Sequence, residues 1–452
     1  MVGYAVTRGA VQGSIKRLKS STAVTAYQKE YFLQAKERAS HGEPFVYTGV
    51  MTPHELFEAM DIPFVVNMWW AAINAAKRLT GPRLEQTAKT MVERGKSLFG
   101  PDYDQLGRCA HCAMGSMGGF AQIVDQDPEQ AAYGGLPELT AIVESGEGGS
   151  CPGTEKMAAI EFKEYLRRGR KAPPVFRLEE SAIPPFYPRY GQWWENIIDH
   201  WNEIIESYRL DYRVDELKAL IRFLENVTGK TFNQDKLVEV MELVNEQNLY
   251  WMKARDLIAE TVPCPADVVD QLAQYSAQWH RGTKAGRDLA KMFYEEVKEK
   301  VENKEAAYPD EKLRLQWLKG GNFGNTAFYQ YFAEKYGAVF VATLYISIAA
   351  DGYPRTLYND PLRALAGRHL FLGLYHGPGW DLKEAKHNKI DGAVMFEQQP
   401  CQRLSHSGHQ MYKQAYEKAG IPLCVISPTW DAEKQQAEIS KFIETRLLPK
   451  RK

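Results

Sequence analysis

The sequence lacks the features that mark membrane, secreted and nucleic-acid-binding proteins. No stretch of the 452-residue sequence approaches the roughly 18 consecutive uncharged apolar residues that a membrane span needs. The N-terminus lacks the apolar core of a signal peptide. The formal net charge of −1 gives no bias toward polyanions. These absences predict a cytoplasmic globular protein with neither a membrane nor a nucleic acid as partner.

Cysteine is scarce and scattered, which argues against a disulfide scaffold and favours reduced thiols or metal ligands. The six are Cys109, Cys112, Cys151, Cys264, Cys401 and Cys424. The first two form a C-x-x-C pair, which can hold zinc, cycle as a redox dithiol or bind an iron–sulfur cluster. The chain has no second C-x-x-C and no H-x-x-x-H to complete a zinc site. Its Gly- and Met-rich surroundings are also unlike a thioredoxin-type site, so cluster ligation is favoured.

Apolar runs alternate with amphipathic segments along both halves of the chain. Strands are predicted at residues 45–50, 62–67, 141–143 and 175–178, and again at 313–320, 338–346, 392–396 and 422–427. This order predicts an α/β fold with two Rossmann- or flavodoxin-like parallel-sheet domains.

Four regions are predicted from these patterns. They are an N-terminal helical segment (1–40), a first α/β domain (41–188), a helical insert (189–310) and a second α/β domain (311–452). The aromatic stripe of the insert and the pair Trp69 and Trp70 are more typical of core than of a cofactor pocket. Thr52 is predicted to cap a helix that opens at Pro53.

Two cysteines follow predicted strands. Cys151 lies in a glycine-rich turn after residues 141–143, and Cys401 lies in a loop after residues 392–396. Open α/β sheets gather ligands at the carboxyl ends of their strands, so this placement indicates metal-cluster ligands. For Cys151 the alternative is an ordinary small buried residue. The glycine cluster at 320–324 lacks the ending of a P-loop, so no nucleotide site is predicted.

Taken in order, these motifs resemble the 2-hydroxyacyl-CoA dehydratase and benzoyl-CoA reductase family. YTGVMTPHELFEAMDIPFVVNMWW is similar to its N-terminal strand–helix–strand, SGEGGSCPGTEKM to its second cluster cysteine, and DGAVMFEQQPC with GIPLCVISPTWD to its C-terminal signature. The resemblance covers nearly the whole chain and is strongest to the B-type catalytic subunit of ATP-dependent benzoyl-CoA reductase. The doubled thiol, and Gly49 where many relatives have a cysteine, depart from the dehydratase pattern.

The resemblance implies a [4Fe-4S] cluster, held within the chain or at its interface with a homologous second subunit. Its ligands are expected to be Cys151, Cys401 and one of Cys109 or Cys112. Both thiols of the pair stay candidates, and the glycines at 115–119 favour Cys112. Three thiolates leave one iron open.

The implied activity is reductive. Electrons from a ferredoxin reach the cluster through ATP-hydrolysing iron–sulfur activator subunits, and they enter an acyl-CoA one at a time. A reductase of this type would turn benzoyl-CoA into a cyclohexadienoyl-CoA, and a dehydratase would expel hydroxide from a 2-hydroxyacyl-CoA. A non-catalytic companion subunit that binds a CoA ester is a further alternative.

Four residues are candidate proton donors to the substrate. His406 and His409 would share one face of a helix and could protonate substrate or hydrogen-bond a cluster sulfur, unless that face is merely solvated. His54 and Glu55 are the other candidates, although an acidic residue also suits a first helical turn for electrostatic reasons.

Overall fold

The computed structural model describes most of the chain, although not the segments that carry the four candidate cysteines. The described residues are 15–67, 69, 70, 73, 93, 97, 132–145, 163, 165–167, 169–179, 205–318, 326–350, 353, 355, 360–372, 378–396, 409–426 and 432–451.

Two four-stranded parallel sheets form the centre of the fold. The first has the order β2-β1-β3-β4 and comprises β1 (Val46–Thr48), β2 (Phe64–Val66), β3 (Ala141–Ser145) and β4 (Val175–Leu178). The second has the order β6-β5-β7-β8 and comprises β5 (Leu313–Trp317), β6 (Ala338–Thr343), β7 (Gly392–Phe396) and β8 (Leu423–Ile426). The predicted α/β class with two parallel sheets is confirmed.

Each sheet has one point at which the direction of winding reverses. In the first sheet the chain goes from β1 to β2 on one side and then places β3 on the other side of β1. In the second sheet β6 and β7 flank β5 in the same way. Ligands of open α/β sheets bind outside the carboxyl ends of the strands at such reversals. The fold therefore offers two such places, one beside β1 and β3 and one beside β5 and β7.

Helices surround the sheets and connect them. In chain order they are α1 (Lys19–Ser40), α2 (His54–Ala59), α3 (Ser207–Thr228), α4 (Gln234–Glu260), α5 (Val268–Tyr275), α6 (Lys284–Glu302), α7 (Ala327–Tyr336), α8 (Leu344–Ala349), α9 (Pro361–Leu372), α10 (Pro378–His387), α11 (His409–Lys418) and α12 (Ala432–Phe442). A short 3-10 helix, Ser276–His280, follows α5. None of the helices in the described residues is both long and apolar enough to cross a membrane.

The helices α3 to α6 match the helical periodicity predicted between the two sets of strands. Apolar residues from each of these helices join a buried core that also contains residues of both sheets. Within it α4 packs on α2, and Trp251 of α4 is buried. Trp69 and Trp70 lie in the same core, where the ring of Phe32 is tilted against both, with ring centroids 5.4 and 5.1 Å apart. Their prediction as core residues is confirmed. The tryptophans of the aromatic stripe predicted in the insert, Trp193, Trp194 and Trp201, lie outside the described residues.

Most strand predictions match within a residue or two, with two exceptions. The strand predicted at residues 313–320 ends at Trp317. The strand predicted at residues 338–346 ends at Thr343, and α8 begins at the next residue. The reason is the partner strand, because Thr343 pairs with Trp317, the last residue of β5. Beyond that pair the apolar, β-branched residues continue, but β5 offers no further backbone to bond with them.

The N-terminal helix is held in place by a carboxylate from α6. Glu296 accepts hydrogen bonds from the amides of Lys19 and Ser20, at 2.7 and 2.8 Å, and from the Ser20 hydroxyl at 2.7 Å. The N-cap residue of α1, Leu18, has no side chain that could do this. A distant acidic side chain therefore caps the first turn and ties α1 to α6.

Candidate functional site at the carboxyl edge of the first sheet

The strands at the two winding reversals run toward the candidate cysteines. In sequence, β3 ends at Ser145 shortly before Cys151, and β7 ends at Phe396 shortly before Cys401. The carboxyl ends of these two strands are therefore the described parts of the chain nearest in sequence to Cys151 and Cys401. Cys109, Cys112, Cys151 and Cys401 themselves lie outside the described residues, as does His406.

His409 is the first residue of α11, which confirms a helix at that point and leaves its predicted role open. The backbone alone is described there, so the shared face with His406 stays a prediction. Within the described residues, no three His, Cys, Asp or Glu side chains form a group that could hold a metal ion. The ligand prediction consequently rests on the undescribed segments.

The two remaining cysteines lie apart from these segments. Cys264 is fully buried, and its amide donates to Glu311 Oε2 at 2.7 Å, as expected of a structural loop residue. Burial raises the pKa of the Cys264 thiol well above its usual range, so this thiol is protonated and unreactive. Cys424 is half-buried in β8, and burial raises its pKa to about 12.

The loop between β1 and α2 lies against the end of β3. The Gly49 amide donates to the Val143 carbonyl at 3.0 Å. A Cβ placed on Gly49 would stand 3.7 Å from the Ser145 nitrogen and 3.6 Å from Thr52 Cγ2. These contacts bring residues 49–53 beside the point at which the chain leaves β3 toward Cys151.

Thr52 shapes this loop in a way that differs from its predicted role. It was expected to cap α2, but the N-cap residue is Pro53, and no side chain caps the helix there. The Thr52 hydroxyl instead donates to the Gly49 carbonyl at 2.9 Å and lies 2.7 Å from the Thr48 hydroxyl. The cap prediction is wrong because the Thr52 hydroxyl binds the Gly49 carbonyl, which closes the turn after β1, and does not bind an amide of α2.

His54 also serves this turn. Its Nε2 lies 2.9 Å from the Gly49 carbonyl, so Nε2 carries the proton, and its ring stacks on Phe64 at 5.3 Å. Burial, followed by the charge of Arg281, holds the pKa of His54 well below its usual range. The ring is therefore neutral, and its single N–H is committed to Gly49.

Glu55 is the buried charge of this edge. Its side chain is 1 % exposed, and its Oε1 accepts from Arg281 Nε at 2.7 Å, with Arg355 Nε 4.0 Å away. Burial alone would raise the pKa of Glu55, but the two guanidinium groups outweigh it and bring the pKa down to about 2. Glu55 is therefore ionised at neutral pH, and in this setting it can accept a hydrogen bond but has no proton to donate.

A small cavity adjoins Glu55. The space open to the centre of a water molecule is about 20 Å³, which is enough for a water and far too little for an acyl-CoA. It is lined by the loop between β1 and α2 with the first turn of α2, by the end of α5 and the 3-10 helix that follows it, and by α8 and α9. The residues are Val50, Met51, Glu55, Tyr275, Gln278, Trp279, Arg281, Ile348, Arg368 and His369.

The polar groups of this cavity set its electrostatics. Burial holds the pKa of His369 well below its usual range, so its ring is neutral, and burial raises the pKa of Tyr275 to about 12. Arg281 and Arg368 supply positive charge, and Glu55 supplies a negative one. Sequence inspection missed Arg281, Arg368 and His369, since nothing in WHRGTK or in GRHL signals a contact with a residue near position 55.

A comparison with known protein families covers this whole arrangement. The profile of the family described as 2-hydroxyglutaryl-CoA dehydratase, D-component, matches residues 49–445, which include all four candidate cysteines and every strand of the two sheets except β1. The chain belongs to this family. The suspected dehydratase-type family is thereby confirmed, at the level of the family and not of one activity.

Two curated relatives are dehydratase subunits of clostridia. The (R)-2-hydroxyisocaproyl-CoA dehydratase alpha subunit of Clostridioides difficile is 23% identical over 273 residues, 57% of this chain and 66% of that protein. The (R)-phenyllactyl-CoA dehydratase alpha subunit of Clostridium sporogenes is 23% identical over 234 residues, 48% of this chain and 54% of that protein. Each match spans less than two thirds of the relative's length.

Proposed function

We propose that this member of the D-component family is the cluster-bearing catalytic subunit of an enzyme that reduces an acyl-CoA thioester by single electrons. The observation that carries this proposal is topological. The strands at both winding reversals, β3 and β7, precede Cys151 and Cys401. In each of the two sheets, a cysteine thus follows in sequence the strand whose carboxyl end lies at the edge where such folds bind ligands.

A [4Fe-4S] cluster is the group that this set of donors would hold. Thiolates from Cys151, Cys401 and one of Cys109 or Cys112 would leave one iron open for a small ligand or substrate. When bound, the cluster supplies low-potential electrons. The described residues of the edge would supply the support, since Gly49 bonds to β3 and the Glu55 charge is buried beside the same loop.

Benzoyl-CoA is the first substrate to test, because the N-terminal motif and the length of the chain resemble those of the B-type reductase subunit most. Its reduction to a cyclohexadienoyl-CoA takes up two electrons and two protons. Glu55 and His54 have no proton to give in the described arrangement, so the donors would have to be other groups, with His406 and His409 as the residues proposed.

A 2-hydroxyacyl-CoA is the second substrate, and the comparisons favour it at least as strongly. Both curated relatives are named as (R)-2-hydroxyacyl-CoA dehydratase alpha subunits. In that reaction the thioester loses water, with an electron added and then recovered. The word alpha in both names also supports a partner subunit for this chain, and an ATP-hydrolysing activator fed by ferredoxin is proposed with it.

One anaerobic experiment distinguishes these substrates. The complex assembled with its partner subunit and activator is given ATP and a low-potential reductant, and then either benzoyl-CoA or (R)-2-hydroxyisocaproyl-CoA. Mass spectrometry of the thioesters shows gain of two hydrogens for the reductase and loss of water for the dehydratase. A complex that contains its cluster and is reduced by the activator, yet converts neither thioester, would refute the proposed activity.

A further inference from the structure

The guanidinium of Arg281 connects the helical region to the loop between β1 and α2. Its Nε donates to Glu55 Oε1 at 2.7 Å, and its Nη2 donates to the Thr52 carbonyl at 2.9 Å. Its Nη1 donates to the Gln278 carbonyl at 3.4 Å, within its own 3-10 turn. One side chain therefore binds both the loop, at Thr52, and the first turn of α2, at Glu55, which are more than 200 residues away in sequence.

That loop bears directly on the end of β3. The Gly49 amide bonds to Val143, and Gly49 stands close to the Ser145 nitrogen. The Thr52 hydroxyl closes the turn onto the Gly49 carbonyl at 2.9 Å. A continuous set of contacts thus runs from Arg281 through Thr52 and Gly49 to the last residue of β3, where the chain leaves toward Cys151.

The buried charges make this connection stiff. The Arg281 side chain is 13% exposed and that of Glu55 is 1% exposed, so water screens their attraction weakly. Removing one partner of such a pair leaves an uncompensated charge in the interior, which is strongly unfavourable. Glu55 Oε2 is buried and has no hydrogen-bond partner among the described residues, and Glu55 lines a cavity that has room for a water.

We propose that Arg281 is a positioning residue, which fixes the β1–α2 loop through Glu55 and Thr52 and thereby sets the position at which the chain leaves β3 toward Cys151. A water bound at Glu55 Oε2 completes the carboxylate's partners. The part of this inference that concerns catalysis rests on the proposed function. The part that concerns the loop and β3 does not.

The test compares Arg281→Met, Arg281→Lys and Glu55→Gln with a matched control. The control is Arg287→Met, which breaks an ion pair of the same length, 2.7 Å, to Glu246, whose side chain is 51% exposed. Hydrogen exchange followed by mass spectrometry is measured on the full chain, for peptides that cover residues 46–53 and 141–145. Steady-state kinetics of the assembled complex are measured in parallel.

Arg281→Met is expected to speed hydrogen exchange about tenfold in both peptides. Arg281→Lys should lie between Arg281→Met and the wild type, since lysine keeps the positive charge but lacks the planar set of N–H donors with which a guanidinium binds two acceptors. In the complex, kcat should fall roughly tenfold with KM changed much less, as for a group that orients and does not bind substrate. Arg287→Met should match the wild type in both measurements.

The proposal would be overturned if Arg281→Met left the exchange of residues 141–145 unchanged. It would also be overturned if Arg287→Met lost as much exchange protection as Arg281→Met. If Arg281→Met does not fold, Glu55→Gln tests the proposal in its place, because glutamine keeps the shape of the Glu55 side chain and removes its charge. Faster exchange in Glu55→Gln supports the proposal, and unchanged exchange overturns it. Exchange needs neither cluster nor turnover. A wild-type complex that contains its cluster and is reduced by the activator, yet converts neither thioester, would therefore refute the proposed function while the exchange data still decide the role of Arg281.

Discussion

The ring of His280 lies 4.0 Å from the ring of Tyr31, and Tyr27 meets it edge-on at 5.6 Å. Burial among these rings lowers the pKa of His280 from 6.5 to about 3. The unfolded chain therefore takes up a proton at this residue before the folded chain does. Stability from the neutral ring is fully present above about pH 6.5 and is lost as the pH falls from there toward 3.

Replacing His280 by phenylalanine should remove this loss. We expect the slope of the unfolding free energy between pH 6.5 and about 5 to decrease by roughly 1.4 kcal/mol per pH unit, the value for one proton. Urea unfolding at several pH values measures it. His41→Phe, which changes an exposed histidine, should keep the wild-type slope. An unaltered slope in His280→Phe would contradict the assignment.

A second group, the partly buried carboxyl of Glu58, acts in the opposite sense. Burial, with Asp61 adding to it, raises the pKa of Glu58 from 4.5 to about 8. The folded state thus keeps a proton that the unfolded state loses, and the resulting stability declines as the pH rises from about 4.5 through 8. Glu58→Gln keeps the neutral shape, so its advantage over the wild type should grow across that range and then level off. Chemical unfolding from pH 5 to 9 checks this, with Glu37→Gln on exposed α1 surface as control. An advantage independent of pH would refute it.

The cap on α1 gives a third prediction. Glu296 makes three hydrogen bonds to Lys19 and Ser20. Glu296→Ala should therefore lower the free energy of unfolding by about 1 to 2 kcal/mol, as for loss of a strong helix cap. Its neighbour Glu295 is exposed, and Glu295→Ala should cost much less. Equal losses in the two variants would show that the contacts to α1 contribute no stability of their own.

Local sequence pattern predicted the strands well because each is a short apolar run with a breaker at its end. Residues 392–396 and 175–178 match β7 and β4 to the residue. The end of β6 could not be predicted, since it is set by the length of its partner β5. Thr52 shows the same limit, because its hydroxyl could either accept from amides of the helix or donate to a nearby carbonyl, and in the folded turn it donates to the Gly49 carbonyl.

The site was predictable only in part. Strand ends before Cys151 and Cys401 follow from local pattern, and the strand order that brings β1 beside β3 follows from the usual winding of α/β folds. The partner of Glu55 did not follow, because Arg281 is 226 residues away and the ion pair depends on how α5 and α6 pack. The choice among the four cysteines stays a prediction, since all four lie outside the described residues.

That choice leads to the fourth prediction. One thiol of the C-x-x-C pair suffices to complete a site with Cys151 and Cys401, and Cys112 lies nearer the glycines at 115–119, where the backbone can approach a cluster. Cys112→Ala should lose the cluster iron and Cys109→Ala should keep most of it. Anaerobic iron analysis with electron paramagnetic resonance measures both. The reverse pattern would assign the ligand to Cys109, and loss in both variants would indicate that the pair serves a larger or bridged cluster.

The central claim is that the segments after β3 and β7 hold one cluster between them. Its most direct test is the iron and sulfide content, with the electron paramagnetic resonance spectrum, of Cys151→Ser and Cys401→Ser in the anaerobically purified complex. Cys424→Ser, a half-buried cysteine within β8, serves as control. We expect each of the first two variants to fold, as judged by circular dichroism, and to lose the iron and the signal, while Cys424→Ser keeps both. Full iron content and an unchanged spectrum in either Cys151→Ser or Cys401→Ser would contradict the central claim.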